Sequence, residues 1–276
     1  MSEFSVTSAD GTALFDRHWA VDRPKAVMAL IHGFGEHCGR YDDMSAHLNA
    51  QNIAVTALDL RGHGRSSGKR GVIHSYQDFR DDLDALLKQT GELYPEIPLV
   101  LYGHSMGGGI VLDHGTRKLD NMPIIASAPL IILAEPIPKA LRKFAKIMGK
   151  IMPKGGLSQP IDGSKISNLA EEQALYIKDA LNHGKLGFRL AEGMVSTGEY
   201  LGEEAKNWDR PLLLMHSKAD QLTGFDGSQN FARDAKQVEF HPFETSQHEM
   251  HNDAPRAHIY DLMTDFILKH AKRNIT

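Results

Sequence analysis

Ser105 stands in a setting that suits a nucleophile. It lies in "LVLYGHSMGGG" (residues 99–109), where an apolar run ends in the pattern G-x-S-x-G and the stretch that follows, "MGGGIVLDHGTRK", is compatible with a helix. A serine on a sharp strand-to-helix turn projects its hydroxyl into a site, and side chains two positions before or after it would collide with neighbouring backbone. The helix N-terminus then faces any developing negative charge. These features predict that Ser105 attacks a carbonyl carbon in acyl transfer.

A serine hydroxyl needs a base, and the base needs an acid that orients it. In this strand–turn–helix setting the acid and then the histidine follow the serine along the chain. Asp220 comes just after the apolar strand "RPLLLMHS", and His248 comes after the last apolar strand, "VEFHPF". Both are therefore predicted to serve Ser105. Asp226, which is expected to start a helix, stays open as an alternative acid. His251, which is expected to begin or cap the last helix, stays open as an alternative base.

Acyl transfer also needs donors for the oxyanion that forms at the attacked carbonyl. The N–H group of Met106, the residue after the nucleophile, is one predicted donor. The second is the N–H group of Phe34 in "LIHGFGEHCGRY", a loop that follows an early strand. A dinucleotide-binding loop is excluded here, because "HGFGEH" does not complete G-x-G-x-x-G.

An alternation of apolar strands and amphipathic helices must position these groups. A hairpin turning at Asp10-Gly11 opens the chain. The apolar runs that follow are "AVMALIHG" (26–33), "IAVTALDL" (53–60), "IPLVLYG" (97–103), "MPIIASAPL" (122–130), "RPLLLMHS" (210–217) and "VEFHPF" (238–243). Continuous apolar runs indicate strands that are buried on both faces, as in a parallel sheet. The pattern predicts an α/β fold with a mostly parallel, doubly wound sheet and helices on both faces.

Residues 134–205 interrupt this alternation, because they carry helical patterns and no convincing strand. We expect them to form an inserted helical cap on a core made of residues 1–133 and 206–276. In open α/β sheets the site lies beyond the carboxyl ends of the strands, so an insertion at this point would cover it.

One helix of the cap, in "IPKALRKFAKIMGKIMP" (137–153), is basic and amphipathic. The candidate substrate-binding residues on its apolar face are Ile137, Leu141, Phe144, Ile147 and Met148. The opposite face carries Lys139, Arg142, Lys143, Lys146 and Lys150. Such a helix can lie at a membrane surface or line an acyl tunnel; packing of its apolar face on the core is the alternative. Gly149 and Pro153 predict a mobile lid.

The composition excludes several other classes of protein. The chain has 276 residues, enough for a single α/β domain with an insertion, and 41% are hydrophobic. A net charge of −4 does not favour a nucleic-acid partner, and one cysteine excludes a disulfide framework and a thiolate zinc site. No metal or other cofactor is expected. With no visible secretory signal and no apolar run of about 18 residues, a cytoplasmic protein is expected, with peripheral membrane contact through the cap.

The motifs "HGFGEHCGRY", "DLRGHGRSSGKRG", "GHSMGGG", "HSKADQLT" and "QHEMHND" together resemble the monoacylglycerol lipase and lysophospholipase family of α/β-hydrolases, over nearly the whole chain. The resemblance implies an α/β-hydrolase fold with a helical cap and the catalytic residues Ser105, Asp220 and His248. It also implies Phe34 and Met106 as oxyanion donors. The expected activity is hydrolysis of single-chain acyl esters, above all monoacylglycerols, without a cofactor.

Other functions on this scaffold stay open. They are a lysophospholipase, a general carboxylesterase, an aminopeptidase and a non-catalytic ligand receptor. An aminopeptidase needs carboxylates for the substrate ammonium, and Glu171 and Glu172 are the candidate pair, provided that they are buried. The basic, glycine-rich segment 59–71 suggests a phosphate loop, but we interpret it as a structural loop in which Asp59 and Arg61 hold other loops. The oligomeric state is left open.

Overall fold

The computed structural model describes residues 1–118 and 120–271, with the side chains of Lys139 and Leu141 outside that description. The strands are β1 (Ser2–Thr7), β2 (Ala13–Trp19), β3 (Ala26–Ile31), β4 (Ile53–Leu58), β5 (Leu99–His104), β6 (Ile124–Ser127), β7 (Gly156–Ser158), β8 (Lys185–Gly187), β9 (Asp209–Ser217) and β10 (Lys236–Phe243). The α-helices are α1 (Asp42–Ala50), α2 (Gln77–Leu93), α3 (Met106–Arg117), α4 (Lys139–Ile151), α5 (Ala170–Lys178), α6 (Phe188–Glu204), α7 (Phe225–Asp234) and α8 (Arg256–Ala271).

The main sheet contains eight strands in the order β1-β2-β4-β3-β5-β6-β9-β10. From β4 to β10 every neighbouring pair is parallel, whereas β2 is antiparallel to both β1 and β4. All the carboxyl ends of the parallel strands therefore lie at one edge, where loops from distant parts of the sequence meet. The six apolar runs and the hairpin predicted from the sequence are confirmed.

Helices cover both faces of the sheet, which explains why the parallel strands are apolar throughout. In β3, Ala29 and Ile31 belong to the core that α2, α3 and α7 cover. The alternating residues Met28 and Leu30 belong to the core on the other face, under α1 and α8. A strand covered on both faces has no solvated side, so polar alternation would leave unpaired groups buried. The mostly parallel, doubly wound α/β sheet with helices on both faces, as expected from the sequence, is confirmed.

The segment between residues 134 and 205, here called the cap segment, departs in one respect from the prediction. It contains α4, α5 and α6, as expected, but it also contains the antiparallel pair β7 and β8. The expectation that it holds no strand is therefore wrong. Each of these strands has three residues, too few for a two-residue periodicity to stand out.

Helix α4 lies on α6, with the rings of Phe144 and Phe188 6.1 Å apart. Gly149 is buried, and it packs against Arg189 of α6. The large apolar side chains of α4 stay exposed: Phe144 by 48%, Ile147 by 45% and Ile151 by 70%. This exposure disfavours the alternative in which α4 packs its apolar face on the core. None of the described helices is both long and apolar enough to span a bilayer.

Candidate active site

Ser105 occupies the tight turn between β5 and α3. Its backbone has φ 54° and ψ −119°, a region that a residue with a side chain rarely adopts. A Cβ atom at Gly103 would overlap the carbonyl oxygen of Gly107, and a Cβ atom at Gly107 would overlap that of Ile31. Both glycines of G-x-S-x-G are therefore required by contact between α3 and the strands, as the sequence predicted. The turn is fixed by hydrogen bonds from Leu130 N and Gly109 N to the Ser105 carbonyl, at 2.9 and 3.0 Å.

His248 and Asp220 meet at the same edge of the sheet. The Nδ1 atom of His248 lies 2.7 Å from Oδ2 of Asp220, and both residues are buried. Asp220 follows β9, and His248 lies between β10 and α8, so the two loops converge at the carboxyl ends of parallel strands. The hydrogen bond identifies Nδ1 as the protonated nitrogen and leaves Nε2 of His248 as the acceptor.

The carboxylate of Asp220 is held at both oxygens. Its Oδ1 accepts hydrogen bonds from the N–H groups of Leu222 and Thr223, at 2.8 and 3.1 Å. Its Oδ2 accepts from the Thr223 hydroxyl at 2.8 Å and lies 3.2 Å from Nε2 of His216. The sequence analysis did not predict that His216 and Thr223 hold the Asp220 carboxylate. Only their closeness to Asp220 in the sequence could have indicated this role.

The pKa values of Asp220 and His248 are shifted in opposite directions. Burial acts to raise the pKa of Asp220, but the charge of His248 and hydrogen bonds from His248 and His216 outweigh it and hold that pKa well below its usual range. Burial acts to lower the pKa of His248, but the charge and hydrogen bond of Asp220 raise it above 6.5. Each residue thus stabilises the charged form of the other.

His104 connects the serine turn to the histidine. It precedes Ser105, and its ring centroid lies 4.7 Å from that of His248. The His104 side chain is buried and its Nδ1 atom lies 3.1 Å from the carbonyl oxygen of Ser127. The ring of His104 therefore packs under the serine turn.

The loop after β3, residues 32–37, is called the oxyanion loop because it contains Phe34. Nδ1 of His32 lies 2.7 Å from the carbonyl oxygen of Gly33, and Nε2 of His32 accepts the N–H of Leu60 at 2.9 Å. Burial lowers the pKa of His32 to about 4, so the ring is neutral and Nδ1–H donates. His32 thereby fixes the peptide group between Gly33 and Phe34.

The amide donors predicted for the oxyanion are unoccupied by protein acceptors. Within residues 1–118 and 120–271, the N–H groups of Phe34 and Met106 make no hydrogen bond. A Cβ atom on Gly33 would contact the Cβ atom of Ser105, at 3.0 Å, so the loop lies directly against the serine. The two amides are available to a ligand oxygen beside Ser105.

Neither alternative residue takes part in the hydrogen bond between histidine and carboxylate, which joins His248 to Asp220. Asp226 is in the first turn of α7, as expected. His251 lies in the short 3₁₀ turn Met250–Asn252, completely buried, with its ring stacked on Tyr41 at 4.7 Å. The expectation that His251 begins or caps the last helix is therefore wrong, because α8 starts only at Arg256.

A buried ionic cluster behind His248 was not predicted. The guanidinium of Arg40 lies 2.5 Å from Glu249 and 3.5 Å from Glu36. Glu36 also accepts hydrogen bonds from Gly33 N at 2.5 Å and from the Tyr41 hydroxyl at 2.8 Å. Burial, followed by the charge of Glu249, raises the pKa of Glu36 to about 7. The cluster braces the oxyanion loop from inside.

The glycine-rich segment 59–71 is a structural loop, as interpreted from the sequence. Asp59 accepts hydrogen bonds from the N–H groups of Cys38 and Arg65, at 2.8 and 2.7 Å. The guanidinium of Arg61 binds Asp82 and Asp10, at 2.6 and 2.7 Å. Asp59 and Arg61 are therefore both held by contacts within the protein, which agrees with their predicted role in holding other loops.

The cap helix borders a cavity of about 430 Å³ between α4 and α6. Of the candidate substrate-binding residues, Ile137 and Phe144 line it, together with Leu157, Leu186 and Phe188. Ile147 and Met148 do not border this cavity, and the side chain of Leu141 lies outside the described part of the structure. The candidate aminopeptidase carboxylates are not a buried pair: Glu171 is exposed, and Glu172 binds Arg256 at 2.9 Å.

The described residues contain no cluster of histidine, cysteine, aspartate or glutamate that could hold a metal ion. The arrangement instead offers a serine, a histidine paired with a carboxylate and two free amides, all at one edge of the sheet. These are the groups that acyl transfer through a covalent intermediate uses.

Several proteins that resemble this chain in sequence or in structure are monoacylglycerol lipases. The chain is 31% identical over 274 residues to the monoacylglycerol lipase of Mycolicibacterium smegmatis, with 98% of each chain covered. It is 32% identical over 257 residues to the monoglyceride lipase of Rattus norvegicus, covering 91% of this chain and 84% of the relative. The crystal structure of the Paleococcus ferrophilus monoacylglycerol lipase superposes with a TM-score of 0.85 at 27% identity, over 93% of this chain and 99% of the other.

Residues 22–255 match the model of the hydrolase family described as "Serine aminopeptidase, S33". Together with the relatives, this match confirms the resemblance predicted from the motifs. The chain belongs to this family of α/β-hydrolases, and within it to the group that contains the monoacylglycerol lipases.

Proposed function

We propose that this protein is a serine hydrolase that cleaves the ester bond of monoacylglycerols, with Ser105 as nucleophile, His248 as general base and Asp220 as the group that orients it. The observation that carries the proposal is the hydrogen bond of 2.7 Å between His248 and Asp220 at the sheet edge where Ser105 sits in its strained turn. The names of the relatives give the substrate class.

In this mechanism Oγ of Ser105 forms a bond to the ester carbonyl carbon while its proton moves to Nε2 of His248. Asp220 stabilises the imidazolium through Nδ1. The imidazolium gives the proton to the alcohol oxygen as the carbon–oxygen bond breaks, and glycerol leaves. Water then attacks the acyl-enzyme, gives its proton to His248, and the fatty acid leaves as Ser105 regains a proton. None of these steps needs a cofactor.

The oxyanion is assigned to the N–H groups of Phe34 and Met106. Their lack of a protein acceptor and the contact between Gly33 and Ser105 support this assignment. Met106 is also the first residue of α3, where the helix dipole favours negative charge. Loss of one such donor costs roughly 10²- to 10³-fold in rate in other acyl-transfer enzymes.

We assign the cap segment, residues 134–205, to substrate access, over a core of residues 1–133 and 206–276. The cavity between α4 and α6 has an apolar part that includes Phe144 and Phe188, which suits a single acyl chain, and charged side chains such as Lys143 and Glu199 also line it. Ile137 and Phe144 are the predicted contacts from α4. Leu141, Ile147 and Met148 remain predictions, and the exposed apolar side chains of α4 suit a lid that moves.

The substrate class is tested by one hydrolysis series on the purified protein. It contains monoacylglycerols of increasing chain length, lysophospholipids, a diacylglycerol, short p-nitrophenyl esters and an aminoacyl p-nitroanilide. Monoacylglycerols should give the highest kcat/KM. Turnover of lysophospholipids alone or of short esters alone would move the assignment to the lysophospholipase or carboxylesterase alternative. Turnover of the anilide alone would favour an aminopeptidase, which the exposed Glu171 and the paired Glu172 do not support. No turnover at all would favour a ligand receptor.

The pH profile should report His248. Only neutral His248 can accept the serine proton, and its raised pKa keeps it protonated up to a higher pH. Activity should therefore fall as the pH drops through a midpoint above 6.5. Asp220→Asn removes the main cause of the upward shift, so the midpoint should move down and kcat should fall by roughly 10⁴-fold.

The measurement is kcat/KM for a p-nitrophenyl ester between about pH 5 and pH 9. Glu36 has a pKa of about 7 in the same neighbourhood, so Glu36→Gln is the control. A midpoint that disappears in Glu36→Gln, or that stays in place in Asp220→Asn, would remove His248 from this role.

We further propose that the outer face of the cap segment binds anionic membrane surfaces. Ile151 is 70% exposed and Met152 is 50% exposed, and the exposed Lys150 and Lys154 flank them. Exposed apolar side chains that are flanked by lysines suit insertion at the boundary between lipid headgroups and acyl chains. Each lysine near an anionic surface contributes about 1 kcal/mol to the binding free energy.

Lys150→Glu combined with Lys154→Glu should weaken binding to phosphatidylserine-containing vesicles by at least about tenfold and slow hydrolysis of vesicle-borne monoacylglycerol. Turnover of a soluble short ester should stay within twofold. The matched control is Lys25→Glu with Lys236→Glu, two exposed lysines at the opposite edge of the sheet. Vesicle co-sedimentation measures the binding. Equal losses in both pairs, or a wild type that does not sediment, would contradict the membrane proposal.

A further inference from the structure

The cap segment is joined to the oxyanion loop by a set of contacts that have no assigned role in the proposed reaction. They come from the stretch just after α5, residues 179–183. We propose that Asp179 and His183 are positioning residues, which hold the Phe34 amide in place from outside the loop whenever the cap is seated. This inference rests on the proposed role of Phe34 as an oxyanion donor.

The first contact is between backbones. The N–H of His183 donates to the carbonyl oxygen of Gly35 at 2.8 Å. Gly35 has φ +77°, and a Cβ atom there would overlap the carbonyl oxygen of His183. The residue directly after Phe34 is therefore bonded to the cap so closely that it has no room for a side chain.

The second contact is between side chains. Nε2 of His37 lies 2.7 Å from Oδ2 of Asp179. Nδ1 of His37 accepts the N–H of Gly39, so Nε2 carries the proton and donates to the carboxylate. Oδ1 of Asp179 accepts the N–H of Leu181 at 2.9 Å, which fixes the turn leading to His183. One carboxylate thus shapes the cap turn and also grips the end of the oxyanion loop.

The third contact involves the ring of His183. It packs edge-on against Phe34, with 5.9 Å between ring centroids, and lies 4.8 Å from His63. Its Nε2 atom lies 3.0 Å from the carbonyl oxygen of Gly62, while Nδ1 accepts the N–H of Lys185. The ring is therefore oriented by two hydrogen bonds and presses on the side chain whose amide is the proposed donor.

The cap segment could act as a plain cover over the site or as a clasp, meaning a segment that holds Phe34 in position, and the two roles predict different kinetics. If the cap segment only covers the site, loosening it should leave turnover of a small soluble ester unchanged or raise it, because access improves. If the cap positions Phe34, the same change should lower kcat, because a misplaced oxyanion donor loses rate even for a substrate that enters freely. A plain cover thus predicts an unchanged or higher kcat, whereas a clasp predicts a lower kcat.

The test is Asp179→Ala, measured with p-nitrophenyl acetate. We expect kcat to fall by about tenfold or more while KM stays within about twofold, since a short ester makes few contacts with the cap. The rate constant for labelling by a small fluorophosphonate should fall in parallel. Asp179→Asn keeps one acceptor oxygen and the side-chain shape, so its kcat should lie between the wild type and Asp179→Ala.

The matched control is Glu172→Ala. Glu172 lies at the other end of α5 and also ties the cap to the core, through Arg256 at 2.9 Å, but that bond does not reach the oxyanion loop. Its kcat should stay close to wild type, with thermal melting recorded for every variant. Equal kcat values in Glu172→Ala and Asp179→Ala, or a rise in Asp179→Ala, would overturn the clasp. An inactive wild type would instead overturn the proposed function.

Discussion

Ser105→Ala should abolish ester hydrolysis while the fold survives. Loss of a catalytic serine in this kind of site costs on the order of 10⁴- to 10⁶-fold in kcat. The change removes only the hydroxyl oxygen. Ser105 itself is half-buried in a turn that is held by backbone hydrogen bonds. The measurement is monoacylglycerol hydrolysis by fatty-acid release, with circular dichroism and thermal melting to verify folding.

The melting temperature of Ser105→Ala should stay within a few degrees of wild type. Gly103 and Gly107 hold the turn irrespective of the hydroxyl, since their backbone contacts leave no space for side chains. Residual activity above about 1% of wild type in a folded Ser105→Ala protein would move the nucleophile elsewhere.

His248→Ala should be comparably damaging, whereas changes at His251 should not be. His248 is hydrogen-bonded to Asp220, and removing it leaves no base for the serine proton. His251 is stacked on Tyr41, and neither of its ring nitrogens has a hydrogen-bond partner in the described part of the chain. We expect a loss of about 10⁴-fold or more in kcat for His248→Ala and less than about tenfold for His251→Phe.

Phenylalanine is the sharper substitution at His251 because it keeps the stacked ring and removes only the nitrogens. His251→Ala would open a cavity between Tyr41 and His104 and lower the melting temperature, which confuses stability with chemistry. A His251→Phe protein that melts like wild type but loses as much activity as His248→Ala would transfer the base to His251.

The sheet and the serine turn were predictable because their signals are local. A strand covered on both faces must be apolar along its whole length, which the runs at residues 26–33 and 53–60 display. The glycines around Ser105 are required by backbone contacts within a few residues of chain. Asp220 and His248 could be chosen because strand ends in a parallel sheet converge, and the structure places them in hydrogen-bond contact.

The buried charges and the cap contacts could not be predicted, because they join residues far apart in sequence. Arg40 meets Glu249 across 209 positions, and His37 meets Asp179 across 142. No periodicity marks such pairs, and charged side chains in a sequence are usually solvated. His251 was misplaced for a related reason: its stacking partner, Tyr41, comes from the opposite end of the chain.

The most direct test of the central claim is covalent labelling of the wild-type protein by a fluorophosphonate, read by intact mass and peptide mapping. We predict one adduct per chain, on the peptide that carries Ser105, formed more slowly when a monoacylglycerol competes. The Ser105→Ala protein should remain unlabelled. An adduct on another serine, or labelling of Ser105 that excess monoacylglycerol does not slow, would contradict the account.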